Sequence, residues 1–384
     1  MRKIVVSIDS FKGCLTSLEA GQAAAQGIQA ACPSCETLVL PVADGGEGML
    51  SVLVTATQGR FVTVCAHDPL MQLRDAVYGI SGDGKTAFVE MASISGLALV
   101  PEEQRNPMLT TTYGTGELML HALEHGCRNF VIGLGGSATN DAGLGMLQAL
   151  GFRFLDKDGR MLGNVAEGRA ICGASLSAVA SIDTSSVHPA LKESTFTVAC
   201  DVNNPFFGPN GAAFVYAPQK GADRAMVEEL DAAMRRLAGV MHKVTGQDIA
   251  HIPGAGAAGG MGGGLVAFLR AELKPGIRLL LDTLHFAERI EGADFIVTGE
   301  GKSDRQTLMG KVPSGILEEA AKQQIPVILL AGSIENVEEL NKAGFRGVFS
   351  ITPSPMPLEE AMRKEVAQAN IRRMAEQVFR MLSL

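Results

Sequence analysis

Short apolar runs alternate with helix-like stretches at both ends of the chain, and the first runs stop at a carboxylate. Residues 4–8 end at Asp9, and Ser17 opens a stretch rich in Ala and Gln through Ala31. Residues 36–42 follow and end at Asp44. The last third repeats the alternation, with apolar runs 294–298, 326–331 and 347–351 separated by helical patterns and a final helix over about 358–382. Such βα alternation predicts a doubly wound, mostly parallel sheet of Rossmann or flavodoxin type.

The middle has a different rhythm. Residues 60–67, 73–80 and 85–91 are closely spaced β-rich segments joined by turn formers, Asp68-Pro69 and Gly82-Asp83-Gly84, which predicts an antiparallel meander. A helix near 117–125, strands at 129–134 and 195–200, and a helix at 227–244 follow. The 384 residues suit two domains. The pattern places a parallel α/β domain in 1–60 and 281–384, with a mixed α/β domain, 61–280, inserted into it.

Net charge is 33 − 41 = −8, which argues against nucleic acid or anionic membrane as partner. No Trp and three Tyr leave little for a base-stacking platform. No apolar run approaches the ~18 residues of a membrane span, and the basic start Met1-Arg2-Lys3 is followed by only a short apolar run before Asp9. Seven cysteines scattered among apolar neighbours indicate a reducing, cytoplasmic setting. A homo-oligomer stays open, because no heptad or interface stripe bears on it.

Four motif matches lack the context they need. Gly79-Ile-Ser-Gly-Asp-Gly-Lys85-Thr86 fits the P-loop pattern, but strand-like residues follow it where a helix should begin. Cys32-Pro-Ser-Cys35 follows a helix, whereas a redox pair precedes one, so a helix-to-strand turn is expected. His121 and His125 fit an inverted zincin pattern with no third ligand nearby, and are expected to be ordinary helical side chains. Gly133-Leu-Gly135-Gly-Ser-Ala138 fits a loose dinucleotide fingerprint, with Asp156 in the place of the ribose acid, yet Asn140-Asp141 puts a carboxylate where pyrophosphate needs donors.

The 45 glycines are about 12% of the chain against an ordinary ~7%. They concentrate beside carboxylates and amides. The clusters are Asp9-Ser10-Phe11-Lys12-Gly13, Asp44-Gly-Gly-Glu47-Gly48, Gly135-Gly136-Ser137-Ala-Thr-Asn140-Asp141, Asp201-Val-Asn203-Asn204-Pro205, Gly299-Glu300-Gly301-Lys302-Ser303-Asp304, and a glycine-rich stretch over 253–264. Each alone could be a capped turn. Together they suit phosphoryl transfer: glycine N–H groups cradle phosphate oxygens, carboxylates and Asn hold Mg²⁺, Lys offsets phosphoryl charge, and an Asp accepts a proton.

These segments resemble the bacterial type I glycerate kinases, the glycerate 2-kinase group. The similarity runs in order through Asp9–Gly13, Pro41–Gly48, Thr110–Glu117, Ile132–Asp141, Ala199–Pro205, Pro218–Gly221, 254–264, Thr298–Gly301, Gln306-Thr307 and Gly310–Pro313. The resemblance implies ATP-dependent phosphorylation of D-glycerate, with 2-phosphoglycerate as the usual product, by two α/β domains enclosing a cleft. The family's Ala-Pro before the first Asp is Ser7-Ile8 here, and its Gly-Glu-Gly-Arg-hydrophobic-Asp is Gly299-Glu-Gly-Lys302-Ser303-Asp304.

Residue chemistry then suggests roles. Asp201 is the expected general base, with Asn203 to orient it; Lys12 and Lys311 offset phosphoryl charge or grip the substrate carboxylate. Asp9 positions substrate or metal, and Ser10 and Asp304 bind substrate. Gly135, Gly136, Ser137, Asn140, Gly259, Gly260 and Glu300 are expected around ATP, and Asp44, Glu47 and Asp141 around Mg²⁺. A 3-phosphoglycerate product, an NAD-linked hydroxyacid dehydrogenase and a non-enzymatic binder of small acids remain alternatives at this point.

Overall fold

Lys3–Ile8 is a strand whose last five residues are buried on both faces, as an interior parallel strand requires. It pairs in parallel with Glu36–Val39 on one side and Phe295–Ser303 on the other. Val327–Ile334 and Gly347–Ser350 extend the parallel sheet beyond Phe295–Ser303. In chain order this is the flavodoxin arrangement, which switches direction between Lys3–Ile8 and Phe295–Ser303 and places ligands at the carboxyl ends of those strands. The computed structural model describes residues 2–43, 45 and 48–382.

Helix Ser17–Ala31 starts at a capping box: Thr16 Oγ1 accepts the Glu19 N–H, and Glu19 accepts the Thr16 N–H. It lies against Lys364–Met381 so closely that a Cβ on Gly27 would sit 2.1 Å from the Arg372 carbonyl oxygen. Ala should gain about 1 kcal/mol over Gly in helix propensity. Overpacking costs roughly 1–3 kcal/mol, and a backbone carbonyl cannot rotate away as a side chain can. Gly27→Ala is therefore expected to destabilise the protein by about 1 kcal/mol or more, seen as a lower urea midpoint.

The Cys32–Cys35 segment is the expected helix-to-strand turn, but its two cysteines are joined as a disulfide rather than carried as thiols. The final helix is also broken in two, Leu358–Ala361 and Lys364–Met381, because Arg363 is extended.

The chain divides into two units, residues 1–44 with 277–384, and residues 45–276. The second has a six-stranded mixed sheet in the order Glu272–Lys274, Thr195–Ala199, Asn129–Gly133, Thr86–Glu90, Leu73–Ile80, Arg60–His67. The first three pairings are parallel and the last two antiparallel, so the meander is present. Helix Met49–Ala56 belongs with this sheet rather than with the parallel one, because Gly79 leaves room for Val54 and Leu50 against Leu73–Ile80.

The P-loop look-alike is a hairpin. Ser81 N–H donates to Thr86 O, and Asp83 accepts from Ser81 Oγ and the Lys85 N–H. Strand Thr86–Glu90 follows at once. His121 bonds Tyr78 OH through Nδ1 and stacks on His125, within an ordinary helix, Tyr113–Glu124. Asp156 accepts N–H groups from Asp158 and Arg160 and so closes its own turn. Among the described residues no helix is long and apolar enough to cross a membrane.

Candidate active site

The parallel sheet carries a cavity of about 740 Å³ at the carboxyl ends of its strands, lined in part by Asp9, Ser10, Lys12, Glu300 and Lys311. Asp9 extends the strand ladder, its N–H donating to Gly299 O at 2.9 Å. Its Oδ1 accepts the Ser10 N–H at 2.7 Å. Gly13, at φ +73°, lets the chain turn back so that Phe11 and Leu15 bridge and Lys12 sits at the tip.

Glu300 is buried, and its Oε1 accepts from Thr307 Oγ1 at 2.6 Å and Ser303 Oγ at 2.9 Å. Burial pushes its carboxyl up, while these hydroxyls and the Lys311 charge pull it back. Asp304, expected on the substrate, instead caps the turn Arg305–Leu308 by accepting the Gln306 N–H at 2.8 Å, with Lys302 Nζ 3.7 Å away. Its N–H donates to Thr307 Oγ1, so it holds the residue that holds Glu300.

In the second unit the loop after Asn129–Gly133 encloses the Asp141 side chain. Asp141 is fully buried, and its Oδ2 accepts from Thr112 N–H, Thr112 Oγ1 and Gly145 N–H at 2.8, 2.8 and 3.2 Å. Oδ1 accepts the Gly143 N–H at 3.1 Å. Burial pushes this carboxyl up against the pull of those donors. Fully buried and already held by four protein donors, Asp141 does not fit Mg²⁺. Asp44 and Glu47 lie outside the described residues, and among the described ones no group of three or more His, Cys, Asp or Glu could hold a metal.

Gly135 and Gly136 are exposed, and Gly136 is left-handed at φ +77°. Ser137 and Asn140 are buried and turned to the protein: Ser137 Oγ accepts from Lys220 Nζ at 2.7 Å, and Asn140 Nδ2 donates to Met234 Sδ. Asn140 Oδ1 and Thr139 Oγ1 are buried without a partner. The stretch expected to wrap phosphates as a loop is mainly helix, Ala257–Leu269, kinked at Ala258, Gly259 and Gly260. Its glycines admit protein: a Cβ on Gly259 would meet Thr139 O at 2.1 Å, and one on Gly260 would meet Met234 Cε at 2.5 Å. Close packing accounts for both.

Asp201 stands just past strand Thr195–Ala199, exposed, with Oδ1 accepting the Gly276 N–H at 2.8 Å. That N–H helps to orient it, whereas Asn203, expected in that role, is exposed. The neighbouring amide with structural work is Asn204, which bonds Asn210 O and Tyr216 OH.

Lys220 has the largest part that residue patterns did not reveal. It is 2% exposed, and its Nζ also donates to Thr139 O at 2.6 Å. Burial pushes the ammonium down to about 7, although Asp141 pulls it up. The one sequence signal was its place in the Pro218–Gly221 turn.

A mixed two-unit α/β chain with cations and carboxylates at its strand ends suits a small-molecule phosphotransferase. The family model for the glycerate kinase family matches residues 4–383. The chain is 45% identical over 365 residues to a glycerate kinase of Halalkalibacterium halodurans, covering 95% of this chain and 94% of that one. It is 46% identical to the glycerate 2-kinase of Escherichia coli K12, covering 94% and 93%. The crystal structure of a proposed glycerate kinase 2 from Salmonella typhimurium LT2 superposes with a TM-score of 0.89 at 43% identity, covering 100% of this chain and 98% of that one. This chain belongs to the glycerate kinase family.

Proposed function

We propose that this protein transfers the γ-phosphoryl group of ATP to the C2 hydroxyl of D-glycerate, giving 2-phosphoglycerate and ADP. The observation that carries the chemistry is the cavity that Lys12 and Lys311 line together with Asp9 and Glu300, at the carboxyl ends of the parallel strands. Choice of the C2 hydroxyl rests on similarity to the relative named glycerate 2-kinase.

Asp201 accepts the hydroxyl proton as the oxygen attacks phosphorus, and ADP leaves from the opposite side. Lys12 and Lys311 offset charge on the phosphoryl oxygens. In the other unit Gly135 and Gly136 are exposed, and glycine N–H groups of this kind suit phosphate oxygens. Asp9 and Ser10 position substrate. Mg²⁺ enters as part of the nucleotide substrate, and no described carboxylate is proposed as its ligand.

Phosphorus NMR of a mixture of protein, ATP, Mg²⁺ and D-glycerate tests this directly. The product signal should split as a doublet, from the lone C2 proton. A triplet would make the product 3-phosphoglycerate, and no phosphoglycerate signal would overturn the kinase assignment.

A further inference from the structure

We infer that the apolar half of the cavity in residues 1–44 and 277–384 seats the adenosine part of ATP, with Phe11, Met356, Leu358 and Met362 as the wall that selects it. This rests on the kinase reading above and adds to it where the nucleoside goes. The cavity has two chemically distinct sides. Lys12, Lys311, Asp9 and Glu300 supply charged groups to its lining, and Phe11, Ile351, Met356, Leu358 and Met362 supply apolar ones.

Size and polarity exclude glycerate as the sole occupant. Cavities of roughly 300–1,000 Å³ enclose drug-sized ligands, and this one has about 740 Å³. A three-carbon hydroxy acid would leave most of it empty and has no apolar face to cover. ATP has a flat, apolar base at one end and anionic phosphates at the other, matching both sides.

Phe11 belongs to the core beneath this wall, but its outer residues do not. Leu358 is 73% exposed and Met362 39% exposed, so neither is covered by the protein's own packing. Met362 lies over the Lys12-Gly13 turn, its Cε 3.5 Å from where a Cβ on Gly13 would be, which joins the apolar side to the cationic one. Methionine suits such a wall, since its flexible, polarisable thioether packs well against aromatic rings. Asn370, buried and lining the cavity, has its Oδ1 bonded by Arg373 at 2.9 Å, which leaves its amide NH₂ to donate to a ring nitrogen. Pro353, Pro355 and Pro357 precede Leu358 and restrict the backbone there, so less freedom is lost on binding.

Methyl-labelled methionine NMR on the unaltered protein tests the placement. The Met356 signal should move with the imido analogue of ATP and with adenosine and stay put with tripolyphosphate or D-glycerate, while Met362, which touches the Lys12-Gly13 turn, should move with the ATP analogue and with adenosine. Movement with D-glycerate alone, or none with the ATP analogue, would overturn it. These binding readouts hold whether or not glycerate is phosphorylated, so failure of the kinase assignment would be seen separately. As a second measurement, Leu358→Asp with Met362→Asp should raise KM for ATP about tenfold or more and leave KM for D-glycerate unchanged. The reverse pattern would also overturn the placement.

Discussion

Asp201→Asn should lower kcat by more than ~10²-fold while leaving the melting temperature and the KM values near those of the parent protein. The contrast follows from how the side chain is held. Its Oδ1 accepts the Gly276 N–H, and an Asn carbonyl oxygen can accept the same bond. What Asn cannot do is take a proton from the attacking hydroxyl. The backbone around it is fixed, since Cys200 N–H donates to Lys274 O at 2.8 Å and extends the strand pairing up to Asp201. Loss of turnover without loss of fold therefore reports chemistry, and steady-state kinetics beside a thermal melt separates the two. Near-normal turnover would remove Asp201 from the role of base.

The parallel sheet was legible because buried parallel strands leave short, mainly apolar runs, and residues 4–8 and 326–331 are such runs. The hairpin at Gly79–Thr86 was legible because its residues favour a turn and the next ones favour a strand, whatever the motif match suggested. Polar clusters were harder. Asp9 and Asp141 look alike in sequence, each beside small residues after an apolar run, yet Asp9 lines a cavity and Asp141 is enclosed. The difference is made by Thr112, a distant residue that donates twice to Asp141. Glycine is ambiguous for a similar reason. It permits close approach of either a ligand or a neighbouring backbone, and at Gly259 the neighbour is the Thr139 carbonyl.

Lys220→Met is expected to change both the pH dependence of stability and the catalytic efficiency. Lys220 bonds Ser137 Oγ and Thr139 O and so fixes the loop that presents Gly135 and Gly136. Its folded pKa is about 7, below the ~10.4 of an unfolded Lys, so between those values the unfolded chain binds more protons. The contribution of this group to stability is then fully present above about pH 10 and is lost as pH falls towards about 7, where a charged ammonium must stay buried. Unfolding midpoints should rise with pH over this window more steeply in the parent protein than in Lys220→Met. The Met side chain fills much of the space but leaves Ser137 Oγ and Thr139 O without their donor, which costs about 1–3 kcal/mol at the alkaline end. Loosening the loop should lower kcat/KM for ATP by about 10–100-fold, as small displacements of a positioning element do. Parallel pH profiles of stability would show that Lys220 does not titrate there, and unchanged kcat/KM would show that its clamp on the loop is dispensable for turnover.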